Sequence, residues 1–167
     1  WSRGDHFDYG LSCVLEDRDA MVRYNRSVWH QELIALVQPV NGWIMAWDFV
    51  VERQARLRDA RPGEIRHHGF FKWNPEAPRA QVQTFIDALN KFPFENDDVE
   101  DWTSGPGLAP AYWPGGDRWD YGLSCILSDY AAVERYNAHH WHQHLISLLP
   151  GTVADVMGWD FVVEEHR

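Results

Sequence analysis

Residues 1–52 and 113–164 are one segment written twice. WSRGDHFDYGLSCVLEDRDAMVRYN aligns with WPGGDRWDYGLSCILSDYAAVERYN, and MAWDFVVE with MGWDFVVE, at a constant offset of 112, without a gap and with 28 of 52 positions identical. A segment repeated at fixed spacing marks a module used more than once, so the fold must accommodate two copies of one unit. The copies are unequal, because residues 65–112 precede the second and no stretch corresponds to them before the first. A complete first copy calls for about 50 further residues upstream, and the natural chain is expected to carry them.

At 167 residues, 45% hydrophobic and 14% aromatic, the chain has ample material for a core. Acidic residues number 25 against 15 basic, for a net charge of −10, and no Lys/Arg cluster stands out. The basic footprint of a phosphate-backbone binder is therefore missing, and nucleic acid is not an expected partner. No apolar run approaches the roughly 20 residues needed to cross a bilayer, and the start lacks a charged-then-apolar signal pattern. A cytoplasmic protein without membrane contact is expected. Cys13 and Cys125 hold the same position in the two copies, in apolar strand patterns, and read as two buried reduced thiols rather than a disulfide.

The second copy, with the residues before it, reads as βαββαβ. IRHHGFFKW (65–73) is an aromatic-rich strand ended by Asn74 and Pro75. Residues 79–92 place Val82, Phe85, Ile86 and Leu89 at helical spacing, with Asp87, Asn90 and Lys91 on the other side. A weaker strand at 98–104 leads into a Gly- and Pro-rich loop over 104–117. Trp119, Tyr121, Leu123, Cys125 and Leu127 then alternate with polar or small residues as a strand. Asp129 caps a helix over about 130–149 whose inward residues are Val133, Tyr136, His140 and Trp141, and 156–164 is the closing strand. This is an α+β, ferredoxin-like plait with helices on one face of an antiparallel sheet, and its other face, apolar, needs a partner sheet. The first copy supplies only a strand (7–15), a helix (17–37) and a strand (43–52). The domains expected are thus 1–52, half of a first module; 53–64, a charged linker; and 65–165, a complete module.

IRHHGFFKW, the WDYGLSCIL strand, Tyr136-x5-His142 on the next helix and the closing WDFVVE together resemble the stress-responsive dimeric A/B barrel family. The resemblance implies two plaits packed sheet to sheet as a barrel, here a pseudo-dimer within the chain, with a further homo-oligomer as an option. Its members include stress-induced proteins without a clear reaction, a polyketide cyclase and a hydroxynitrile lyase. In the cyclase a helix Tyr and His act with a first-strand His in a pocket between sheet and helices. Carried over, the resemblance implies Tyr136, His142 and His67 in those roles, with Tyr121 where the cyclase has another pocket His. On a regular helix six residues turn through about 600°, leaving Tyr136 and His142 about 120° apart. Their convergence requires a distortion near His139-His140, where the family has His-Pro.

A Tyr–His pair in an apolar pocket suits proton abstraction next to a carbonyl, the imidazole taking the proton and the phenol donating to the developing oxyanion. The competing reading packs Tyr136 on the sheet and leaves His142 at the helix surface. The first copy keeps Tyr9, Tyr24, Trp29 and His30 but has no counterpart of His67, so its site is incomplete. Of the run His139, His140, His142, His144, only His140/His144 and His139/His142 have helical ligand spacing, no carboxylate completes a set, and no metal is expected. No cofactor is expected either, since the 104–117 loop lacks phosphate-cradle spacing and a Lys. Ten tryptophans are many for this length. Trp1/Trp113, Trp29/Trp141 and Trp47/Trp159 recur in both copies, which favours packing. Trp73, Trp119 and Trp141 are the candidates for lining a flat pocket for an apolar ligand. Three functions follow: a cyclase- or lyase-like enzyme acting on a small apolar carbonyl compound; a non-enzymatic stress or assembly protein; and a barrel monooxygenase using Asn137, Trp141 and His142, which rests on fold analogy alone.

Overall fold

The computed structural model describes residues 7–40, 44–109 and 118–165, and the repeated Trp1/Trp113 pair lies outside them. It divides into two compact units, Phe7–Ala46 and the chain from Trp47 onward.

The smaller unit holds α1 (Arg18–Arg26) and α2 (Val28–Val37). The Asp17 carboxylate accepts from the Ala20 N–H at 2.7 Å and starts α1. Ser27, with extended φ −66° and ψ 146°, ends it and caps α2. Residues 7–15, expected as a strand, are not one. Their counterpart in the second copy is a central strand, held by ladders on both sides, and residues 1–52 contain no equivalents of those neighbours. For the same reason Cys13 is exposed where a buried thiol was expected, while Cys125 is fully buried.

The larger unit runs β1 (Arg53–Ala55), β2 (Ile65–Trp73), α3 (Arg79–Glu95), β3 (Glu100–Pro106), β4 (Tyr121–Leu127), α4 (Tyr130–Ala138), α5 (His140–Ser147) and β5 (Val153–Val162). The strands form one antiparallel sheet in the order β1-β3-β4-β2-β5. From β2 onward this is the expected ferredoxin-like plait. Odd-numbered residues of β2 and β4 face the helices, where Ile65, Phe71, Leu123, Cys125 and Leu127 meet Phe85, Leu89 and Phe92 of α3 and Leu145 of α5. Each of those large side chains contributes about 1.5–3 kcal/mol by leaving water, so α3, which buries two phenylalanines and a leucine, is held mainly by this face.

The first copy's closing segment does not build a second sheet; it extends this one at the β3 edge. The Val50 N–H donates to Pro106 at 2.8 Å, the Glu52 N–H to Ser104 at 2.9 Å and the Leu108 N–H to Asp48 at 2.9 Å. β1 continues the ladder through Ser104, Thr103 and Trp102. This approach requires glycine: a Cβ on Gly105 would stand 1.7 Å from the Val50 carbonyl oxygen. On the face away from the helices, the rings of Trp47 and Phe49 fill the space left by Gly122, and Trp47 packs on Phe70. The stretch read as a linker is therefore partly strand. It is pinned by ion pairs of Arg58 with Glu64 and Glu100 and of Arg56 with Asp97. Charged residues suit an edge strand, whose outer side meets water.

Candidate active site

The Asp129 carboxylate caps α4 by accepting from the Ala132 N–H at 2.7 Å. The helix stops at His139, whose backbone turns extended at φ −62° and ψ 136°. The imidazole Nδ1 of His139 accepts from the Trp141 N–H at 3.2 Å and starts α5. That N–H would otherwise bond the Asn137 carbonyl. The vacated acceptor is taken by the ring of His142, Nδ1 at 3.3 Å, and by the side-chain amide of Gln143 at 2.7 Å. His142 is thereby turned back onto Tyr136, with ring centroids 4.6 Å apart. The expected distortion is a complete break, made without proline. It also shifts the helical phase, so His142 and Leu145 are buried while His140, expected inward, is exposed.

From the sheet, His67 on β2 brings its ring to 4.9 Å from Tyr136. Its Nδ1 lies 2.7 Å from the Asp160 carboxylate, directly across the β2–β5 ladder. A carboxylate can only accept, so Nδ1 carries a proton and turns the Nε2 edge of the ring away from Asp160. His67, Tyr136 and His142 line one cavity of about 40 Å³, walled by Phe85, Leu89 and Leu145 among others. That is room for about three waters at roughly 10–15 Å³ each. Burial, reinforced by Cys125 and Asp160, holds the Tyr136 phenol well above its usual range, so it is a neutral donor. Burial likewise lowers His142 against a partial lift from the Asn137 carbonyl, which keeps its ring neutral near pH 7.

Four residues expected at the pocket lie elsewhere. The Tyr121 hydroxyl accepts from the Asn90 amide at 3.2 Å, and the Asn90 carbonyl accepts from the Ser104 hydroxyl at 2.5 Å, a closed polar contact in the core under α3. Asn90, read as outward, is thus half-buried. Trp73 stacks on Phe71 near the end of β2. Trp119 packs on Phe70, on the opposite face of the sheet, beneath the Arg118 guanidinium. Trp141 donates its indole N–H to the Ala88 carbonyl at 3.0 Å and staples α5 to α3. Conversely, Asp160 was not singled out. Its signal is a carboxylate set between Trp159 and the apolar run Phe161–Val163. Among the described residues no group of three or more His, Cys, Asp or Glu side chains is placed to hold a metal ion, and no helix is long and apolar enough to cross a membrane.

The fold defines the class as a ferredoxin-like α+β plait with helices on one face of an antiparallel sheet. The family model described as Stress responsive A/B Barrel Domain matches residues 65–163, over half of the chain, and the protein belongs to that family. Solved structures agree on the fold. Hydroxynitrile lyase from Passiflora edulis superposes with TM-score 0.57 at 13% identity, covering 64% of this chain and 99% of that one. A dimeric ferredoxin-like protein of unknown function from Thermobifida fusca YX gives TM-score 0.51 at 20% identity, covering 71% and 100%. A candidate monooxygenase from Lactobacillus acidophilus NCFM gives 0.56 at 12% identity, covering 87% and 65%. A search of curated proteins finds no match to the sequence.

Proposed function

We propose that residues 65–164 form a proton-transfer enzyme for a small apolar carbonyl compound or its adduct. The observation that carries this reading is the His67–Asp160 hydrogen bond of 2.7 Å beside the Tyr136 ring, 4.9 Å from His67, in one cavity. His67 acts as general base through Nε2, and Asp160 orients the ring and stabilises the imidazolium that forms. The Tyr136 phenol donates to the carbonyl oxygen as it becomes negative, at a buried position where such a bond is strong. His142, neutral and packed on the phenol, positions it. For a carbonyl substrate, His67 takes the proton from the adjacent carbon, the enolate is held by Tyr136, and reprotonation or attack on a second carbonyl completes the reaction. For a cyanohydrin, the reaction named for the Passiflora edulis structure, His67 takes the hydroxyl proton, the carbonyl forms and cyanide leaves.

The cavity of about 40 Å³ favours short aliphatic substrates over a folded polyketide. It also keeps the non-enzymatic assembly reading in play, because a site this small serves as well for packing. Solvent-deuterium exchange next to the carbonyl of small ketones and aldehydes, followed by NMR, separates the two. Exchange that exceeds buffer and falls in Tyr136→Phe supports the enzyme, and exchange at the buffer rate across the panel supports assembly.

A further inference from the structure

The helix-facing side of the sheet carries three successive cross-strand rows through β4, β2 and β5. The first is Cys125, His67 and Asp160, the second Leu123, Gly69 and Gly158, and the third Tyr121, Phe71 and Val156. The outer rows carry a side chain on every strand. The middle row is bare on two adjacent strands, directly beside His67, and both glycines line the cavity that His67, Tyr136 and His142 share. Neighbouring strands lie about 4.8 Å apart and successive same-face rows about 7 Å apart. The gap is therefore a strip of bare backbone two strands wide, running from His67 to Phe71 and Val156.

These two glycines differ from the others of the larger unit. Among the described residues the left-handed glycines are Gly63 and Gly151, both in turns, whereas Gly69 and Gly158 oppose each other as ladder residues. Gly105 makes way for the Val50 carbonyl, and the space at Gly122 is filled by Trp47 and Phe49. A Cβ on Gly69 would have as its nearest neighbours only atoms of the Leu123 side chain, from 3.2 Å, and that side chain can give way. Gly158 aligns with Ala46, in MGWDFVVE against MAWDFVVE, so the repeated strand sequence accepts a methyl group there. Glycine inside a strand weakens it and marks a place where a ligand or another backbone comes close. At Gly69 and Gly158 no backbone fills the space, because the cavity does.

The shape and chemistry of that space define what fits. Its volume of about 40 Å³ is well below the roughly 150 Å³ of a cavity that takes up benzene, so it suits a chain rather than a ring. Among the described residues no Arg, Lys, Asp or Glu lines it, and a charged group would be left there without a partner.

We infer that Gly69 and Gly158 are specificity-determining residues of this site. Their bare strip takes the straight alkyl chain of a neutral aliphatic ketone or aldehyde, and Phe71 and Val156 stop the chain and set its length. The orientation, with the carbonyl at Tyr136 and the chain leading away from His67, rests on the reading of those two residues as the reacting pair. The strip as a binding surface does not.

The test titrates the 167-residue chain with straight-chain methyl ketones, from propanone upward one carbon at a time, and follows the backbone amides of residues 69 and 158 by NMR. Affinity should rise with chain length to a limit and then fall. Gly158→Ala puts a methyl group on the strip and should shorten the limit by at least one carbon. The ketone at the parent's limit then weakens about tenfold or more relative to propanone. Val156→Ala opens the far end and should lengthen the limit by at least one carbon. Gly69→Ala is expected to act as Gly158→Ala does, and if it fails to fold the other two variants decide. A limit unmoved in either Gly158→Ala or Val156→Ala overturns the inference, as does a parent in which no ketone of the series moves the two amides. Binding is read here without turnover. Shifted limits without catalysed deuterium exchange uphold the strip and remove the enzyme, and catalysed exchange with unmoved limits does the reverse.

Discussion

The rings of Tyr136 and His142 meet at 4.6 Å across a helix break at His139, where a continuous helix would hold them on different faces. His139→Ala removes the imidazole that caps α5 and is expected to cost about 1 kcal/mol. It should also loosen the Tyr136–His142 contact, read as loss of the ring-to-ring NOE. His140→Pro falls at the first position of α5, where proline is favoured, after a residue already extended as a pre-proline residue must be. Its stability should stay within about 0.5 kcal/mol of the parent, and a drop of several kcal/mol in urea unfolding would show that the hinge is not as described.

Asp160 acts through His67, so its replacement should shift the pH dependence of the reaction as well as its rate. Asp160→Asn keeps the side-chain shape but removes the charge and puts an N–H donor in place of one acceptor oxygen, so the Nδ1–H tautomer is no longer enforced. The expected result is a fall in kcat of about 10²-fold or more with little change in Tm, and a displaced acid limb in the pH–rate profile. Equal kcat and an unmoved profile would remove Asp160 from the mechanism.

The sheet edge gives a packing prediction. A Cβ at Gly105 would overlap the Val50 carbonyl, so Gly105→Ala must push the 47–52 segment off β3. A loss of about 1–3 kcal/mol is expected, with faster exchange at the Val50 and Glu52 amides. Unchanged exchange there would contradict the pairing.

His68 makes the protein acid-sensitive in a defined window. Burial first, with smaller contributions from the neighbouring His67 and Arg66, pushes it down to about 3. Because the folded value lies below the unfolded value of about 6.5, the unfolded chain takes up the proton first. The contribution is therefore complete above about pH 6.5 and is lost as pH falls toward 3, at up to about 1.4 kcal/mol per pH unit. Lowered His142 acts in the same direction. Urea unfolding of His68→Phe from pH 7 to 4 should show a flatter stability curve than the parent, and parallel curves would refute the assignment.

The plait was legible in the chain because its signals are local. Apolar alternation marks Tyr121–Leu127, and helical spacing marks Phe85, Ile86 and Leu89. The rest depends on relations the sequence does not display. The His67–Asp160 pair is a matter of cross-strand register between residues far apart in the chain. The break at His139 has no glycine or proline to announce it, although Ser27, a good N-cap residue at the aligned position, carried the hint. Residues 7–15 have the alternation of β4 without the neighbours that make it a strand, and Arg53–Ala55 reads as charged linker because an edge strand tolerates charge. Residue type draws Trp119 and Trp141 to the pocket, whereas Trp119 lies ahead of Tyr121–Leu127, outside its alternation, and packs on Phe70, and Trp141 bonds the Ala88 carbonyl of α3.

The central claim, that His67 and Tyr136 act on one substrate while His142 positions the phenol, is tested most directly by deuterium incorporation next to the carbonyl of a small ketone panel in D2O. The parent protein is expected to accelerate exchange above buffer. His67→Ala, Tyr136→Phe and His142→Ala should each lose about 10²–10⁴-fold of it while Tm stays within a few degrees. Exchange in the parent that survives all three substitutions unchanged would contradict the account.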